Sequence, residues 1–77
     1  MKVTILGTGC KKCVFLEERV KEIIKKHQIE AEVEKVTEID KIVAYGIMMT
    51  PGLAVDDKVK SSGYIPKEEQ ILEWLKK

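Results

Sequence analysis

The chain has 77 residues, 44% of them apolar and 35% charged, enough for one small folded domain and unlike the composition of a disordered segment. Its 14 basic and 13 acidic side chains leave a net charge of +1, without the basic excess of a nucleic-acid binder. No run approaches the ~20 apolar residues of a membrane span. The apolar run Val3-Thr4-Ile5-Leu6-Gly7 is shorter than the roughly 7–15 residues of a signal-peptide core, so the expected location is the cytoplasm.

Lys2 to Leu6, bounded by Gly7-Thr8-Gly9, reads as a buried strand. Cys10 to about Lys26 follows as a helix: Cys13, Leu16, Val20, Ile23 and His27 recur at three-and-four spacing, Phe15 and Ile24 flank that stripe, and Glu17, Glu18, Lys21, Glu22 and Lys25 form the wet side. Lys25, Lys26 and His27 suit the negative end of the helix dipole. From Glu30 to Val36, Ala31 and Val33 alternate with Glu30, Glu32 and Glu34, the pattern of a half-exposed strand whose charges discourage further edge pairing. Thr37 is the expected N-cap of a short helix with Ile39, Ile42 and Val43 inside and Gly46 as its stop.

An apolar loop, Ile47 to Gly52, then leads into a strand at Leu53-Ala54-Val55. Asp56-Asp57 reads as a tight turn and Lys58 to Ser61 as the returning strand of a hairpin. Gly63 breaks that strand. Pro66 is the expected first residue of a last helix, with Ile71, Leu72, Trp74 and Leu75 on its inner face and Lys76-Lys77 at its end. The order is strand, helix, strand, helix, strand, strand, helix. A helix joins the first two strands, which are therefore expected to be parallel.

The chemistry lies at Cys10-Lys11-Lys12-Cys13, where the first strand meets the first helix. Two cysteines are too few for a disulfide scaffold, and a bridge between them closes so small a loop that its reactivity matters more than its stabilisation. Cys10 falls at the helix N-terminus, where unpaired N–H groups favour negative charge, and Lys11 and Lys12 add cations beside it. Both effects lower the Cys10 pKa and make it a nucleophile near neutral pH. Cys13, one turn further on the face of Leu16 and Val20, is expected to be buried and protonated. An outer thiolate that attacks and an inner thiol that resolves are what dithiol–disulfide exchange requires. By stabilising the reduced form, the lysines push the couple in the oxidising direction.

Together with Thr50-Pro51, the arrangement resembles the thioredoxin superfamily, and within it the small thioredoxin- and glutaredoxin-like redox-active disulfide proteins. The resemblance covers essentially the whole chain. It rests on Thr8-Gly9-Cys10-Lys11-Lys12-Cys13 after the first strand, on Thr50-Pro51-Gly52-Leu53-Ala54-Val55-Asp56 before the hairpin, and on Gly63 followed by the last helix. It implies an α/β class, a single minimal thioredoxin-like domain over residues 1–77 with β-α-β-α-β-β-α order, and a four-stranded mixed sheet covered by three helices. It implies a cis peptide bond before Pro51, with Pro51 packed against Cys10 and Cys13 and the backbone of Thr50 pairing with an extended substrate. Gly9, Lys11 and Lys12 then shape the site, and Met49, Thr50 and Gly63 line the substrate contact. A protein disulfide is the implied substrate and a flavin-dependent disulfide reductase the implied electron donor; the chain is expected to act as a monomer, with no cofactor beyond its two sulfurs and no metal.

The chain departs from its better-known relatives. Gly9 stands where thioredoxins have Trp, Lys11-Lys12 replaces their Gly-Pro and the Pro-Tyr common in glutaredoxins, and no acidic residue occupies the first strand. Met49-Thr50-Pro51 and Ser62-Gly63-Tyr64 match the glutathione-binding pattern of glutaredoxins only in part. The rival reading is a small Cu(I) or heavy-metal carrier domain, which also places Cys-x-x-Cys after a first strand and whose paired thiolates suit a soft ion. Against it, no Met precedes Cys10, a helix follows the second strand, and the chain closes on a helix rather than a strand. A four-ligand zinc site would need more than two cysteines and the distant His27. Met48, Met49 and Tyr64 read equally well as substrate contacts and as packing residues, and Trp74 as core.

Overall fold

Strands form where β-branched and apolar residues alternate between two covered faces, and this fixes the frame for the rest. The computed structural model describes residues 1–47 and 49–75. Its elements are β1 (Lys2–Leu6), α1 (Lys11–Lys26), β2 (Glu32–Val36), α2 (Ile39–Ala44), β3 (Gly52–Val55), β4 (Lys58–Ser62) and α3 (Glu68–Leu75). The sequence expectations for Met48, Lys76 and Lys77 lie outside the described residues. Among the described residues no helix is long and apolar enough to cross a membrane.

The four strands form one mixed sheet in the order β2-β1-β3-β4. β1 runs parallel to β2, with Val3 opposite Val33 and Leu6 opposite Val36. It runs antiparallel to β3, with Val3 opposite Val55 and Leu6 opposite Gly52. The β3–β4 hairpin turns on Asp56 and Asp57, which have φ values of 51° and 67°. Positive φ at both central residues is the type I′ signature, which suits the twist of a two-residue hairpin. The pairing shifts between Leu53 and Ala54, leaving an irregularity in the ladder.

Alternation along the central strands divides the core between the two faces of the sheet. On one face Val3, Ile5, Leu53 and Val55 pack with Leu16, Val20 and Ile23 of α1 and Ile71 and Leu75 of α3. On the other, Leu6, Val36 and Ala54 pack with Ile42 of α2 and Ile47. Leu16 is fully buried, a burial that contributes about 1.5–3 kcal/mol. Leu72 and Trp74 are partly buried against the first cluster. Arg19 ties α1 to the segment before α3, its guanidinium donating to the Pro66 carbonyl at 3.3 Å.

Several sequence expectations are corrected. Cys10 caps α1 rather than opening it, and His27 is an exposed C-cap rather than a member of the buried stripe. Phe15 is half exposed, with the Arg19 guanidinium over its ring at 5.1 Å. Glu17 is not a solvated side chain: it is only 12% exposed and accepts ion pairs from Lys21 at 2.8 Å and Lys35 at 3.2 Å. The residue before α2 is Glu38, not Thr37, and its side chain makes no capping bond. Ile39 and Val43 are exposed, so the six-residue α2 buries Ile42 alone; so short a helix presents little more than one turn to the sheet. Pro66 lies before α3 rather than within it. There it is fully buried and offers its carbonyl to Arg19.

Candidate active site

β1 and β2 are parallel, so their C-terminal ends lie together, and the antiparallel register of β1 with β3 brings the start of β3 to that same end. The β1–β3 register ends with Leu6 opposite Gly52, the residues that adjoin Gly7 and Pro51 in the chain. The Gly7 N–H donates to the Val36 carbonyl at 3.0 Å, which extends the pairing one residue past β1. The Gly63 N–H donates to the Pro51 carbonyl at 2.9 Å and brings in the end of β4. The chain turns through Thr8 and Gly9 and enters α1 at this sheet end, with Gly9 exposed at a φ of 94° that glycine adopts readily.

Cys10 and Cys13 are joined as a disulfide. Cys10 is exposed, whereas Cys13 is 4% exposed. The Cys10 residue is the N-cap of α1: its Sγ accepts the Cys13 N–H at 3.2 Å, and its carbonyl accepts the Val14 N–H at 3.0 Å. The sulfur thus stands where a capping oxygen usually stands, in the positive field of the open end of a 16-residue helix. Lys11 and Lys12 are exposed, and among the described residues neither makes an ion pair.

Gly7 carries a role that sequence reading assigns only to a strand boundary. A Cβ placed there would overlap the Cys13 sulfur and stand 2.9 Å from the Cys13 Cβ. Strand and helix approach so closely at the inner cysteine that no side chain fits between them. The signal in the sequence is a glycine between an apolar strand and a Cys-x-x-Cys helix start, which sterics alone, not turn chemistry, explains.

The predicted substrate-contact residues lie together at this same sheet end. The Thr50–Pro51 bond is cis, as the resemblance implied, and Pro51 is buried. Thr50 is half-buried and Met49 is 65% exposed. Met49 lies against Gly63, where an added Cβ would stand 3.1 Å from the Met49 Cβ. Tyr64 follows, half exposed. His27 caps the far end of α1 and is not part of this group. The buried polar side chain of β1 is Thr4, whose hydroxyl has no hydrogen-bond partner; alternation from Gly7 puts it on the sheet face opposite Cys13.

An oxidisable cysteine pair at the N-terminus of a helix, over a mixed sheet with a cis-proline at the neighbouring strand start, defines a thioredoxin-like redox fold. Comparison with known proteins agrees. The thioredoxin domain family matches residues 1–76. The chain is 44% identical over 71 residues to a thioredoxin of Methanothermobacter thermautotrophicus, covering 92% of each chain. It is 42% identical over 74 residues to a thioredoxin of Methanocaldococcus jannaschii, covering 96% of this chain and 85% of that one. The chain belongs to the thioredoxin family and is a thiol–disulfide oxidoreductase. A helix after β2 and a helix at the end of the described fold also differ from the strand order of the metal-carrier alternative.

Proposed function

We propose that the protein exchanges its Cys10–Cys13 dithiol with disulfides of other proteins, Cys10 attacking and Cys13 resolving. The observation that carries this reading is the difference in access within the pair: Cys10 is an exposed residue at the helix cap, and Cys13, one turn further on, is buried. In the reduced protein the Cys13 N–H and the helix N-terminus favour a thiolate at Cys10 over a thiol. That thiolate attacks one sulfur of the substrate disulfide. A Cys10–substrate disulfide forms and the second substrate sulfur leaves as a thiolate. The Cys13 thiol then gives up its proton and attacks the Cys10 sulfur, which closes the internal disulfide and releases the first substrate sulfur. Two electrons pass from the protein to the substrate, and the Cys13 proton goes to one of the two substrate thiolates released.

Pro51, Thr50 and Gly9 shape the approach, and Met49, Thr50 and Gly63 contact the incoming chain. The sulfurs carry the electrons, so the cycle needs no bound cofactor or metal. A disulfide reductase, of the flavin-dependent kind, restores the dithiol; the protein works as a monomer in the cytoplasm. The test is reduction of a disulfide-bonded protein such as insulin by catalytic amounts of the chain, with dithiothreitol supplying electrons. Acceleration over dithiothreitol alone is the expected result. A rate equal to that of dithiothreitol alone overturns the reading.

A further inference from the structure

The charges in the helix turn that holds the disulfide are of one sign. Lys11 and Lys12 occupy the first turn of α1, which contains no acidic residue. The residues three and four positions further on are Val14 and Phe15 for Lys11, and Phe15 and Leu16 for Lys12. Neither lysine therefore has an acid at helical spacing to neutralise it. Glu17, the nearest acid along the helix, is engaged by Lys21 and Lys35. Cations in a first helical turn oppose the helix dipole, so this placement works against the stability of α1.

The β3 and β4 side of the same sheet end bears no charge: residues 42–55 and 61–66 contain no Asp, Glu, Lys or Arg. There Met49 and Tyr64 are exposed. On the β2 side the acids are Glu38, paired with Lys41 at 3.7 Å, and Asp40 in the first turn of α2. That helix packs on the sheet face opposite α1. A partner reaching Cys10 thus meets two exposed cations in the adjoining helix turn, without ion-pair partners among the described residues, and an uncharged, partly apolar rim on the β3–β4 side.

We propose that Lys11 and Lys12 select substrates whose disulfide is flanked by Asp or Glu. The inference rests on the exchange reading and specifies the substrate class of that same site. Opposite charges across an encounter surface raise the association rate and suppress partners of like charge.

The test uses two synthetic peptides with identical disulfide loops, one flanked by acidic and one by lysine residues. Second-order rate constants for their reduction by the pre-reduced protein are measured by acid trapping. Each is divided by the rate constant for dithiothreitol on the same peptide, which removes the peptide's own reactivity. The acidic peptide is expected to react about 10-fold faster at low salt, the scale of two exposed ion pairs. The preference should collapse toward unity near 1 M salt, where the Debye length is about 3 Å. Because the readout is a ratio, any change in Cys10 nucleophilicity cancels. The Lys11→Gln/Lys12→Gln variant should bring the ratio close to one, and Lys11→Glu/Lys12→Glu should invert it. Equal rates on the two peptides with the wild-type protein, or an unchanged ratio in both variants, overturn the inference and leave the exchange reading standing. Failure to reduce either peptide or neutral 2-hydroxyethyl disulfide overturns both.

Discussion

Replacing Gly7 by alanine tests how closely β1 and α1 approach. The backbone of Gly7 is not in the left-handed region, so alanine meets no conformational penalty there. The obstacle is steric: the new methyl group would overlap the Cys13 sulfur and lie 2.9 Å from the Cys13 Cβ. The Cβ sits one bond from the helix backbone and cannot swing away, and the sulfur is held by its bond to Cys10. Strand or helix must shift, an overpacking cost of about 1–3 kcal/mol. A domain of this size has a stability of about 4–12 kcal/mol at ~0.05–0.15 kcal/mol per residue, so the loss is measurable by urea unfolding at unchanged m. Reduction frees the Cys13 sulfur to rotate, so the oxidised form should lose more than the reduced form. A difference of about 1 kcal/mol between them moves the couple roughly 20 mV in the oxidising direction. Gly52→Ala is the control: its nearest contact is the mobile end of Ile47 at 2.5 Å, with Leu6 at 3.4 Å. If Gly7→Ala costs less than about 0.5 kcal/mol, or less than Gly52→Ala, the close approach at the inner cysteine is refuted.

Three further outcomes are expected. Cys10→Ser should abolish disulfide reduction, whereas Cys13→Ser should accumulate a mixed disulfide with substrate, detectable by mass spectrometry; full turnover by Cys10→Ser would reverse the assignment of roles. Leu16→Ala removes a fully buried side chain and should cost about 2–5 kcal/mol, read as a shift in urea midpoint. The Lys21 ammonium, hydrogen-bonded to it, and Lys35 hold the Glu17 carboxyl below the usual carboxylate range, with burial acting against them. A carboxyl whose pKa is lowered by folding contributes stability that is complete above its unfolded pKa and lost as the pH falls through its folded pKa. Glu17→Gln should therefore be less stable than the wild type by about 1 kcal/mol at neutral pH, with the gap closing in strongly acidic solution; a gap independent of pH would contradict the ion-pair account.

The periodic parts of the fold were legible in the sequence because burial enforces their period. The α1 stripe at Cys13, Leu16, Val20 and Ile23 and the edge alternation of β2 stand as read. So do the parallel β1–β2 pair, the hairpin, and the cis bond that the resemblance implied. What was missed depends on tertiary contact rather than pattern. Glu17 looks solvated until Lys35 is brought across from β2. Ile39 and Val43 look internal until α2 proves too short to bury more than Ile42. At the site, the two cysteines announced themselves by spacing. The demand on Gly7 did not, because it arises only where a strand and a helix meet at one sulfur.

The most direct test of the redox account is an equilibrium titration of the purified protein in defined dithiol/disulfide buffers, with thiols trapped in acid and counted. The account predicts one two-electron transition between a dithiol and the Cys10–Cys13 disulfide, within the roughly −270 to −120 mV spanned by thiol–disulfide oxidoreductases. If no intramolecular disulfide forms at any poise, the exchange mechanism is contradicted.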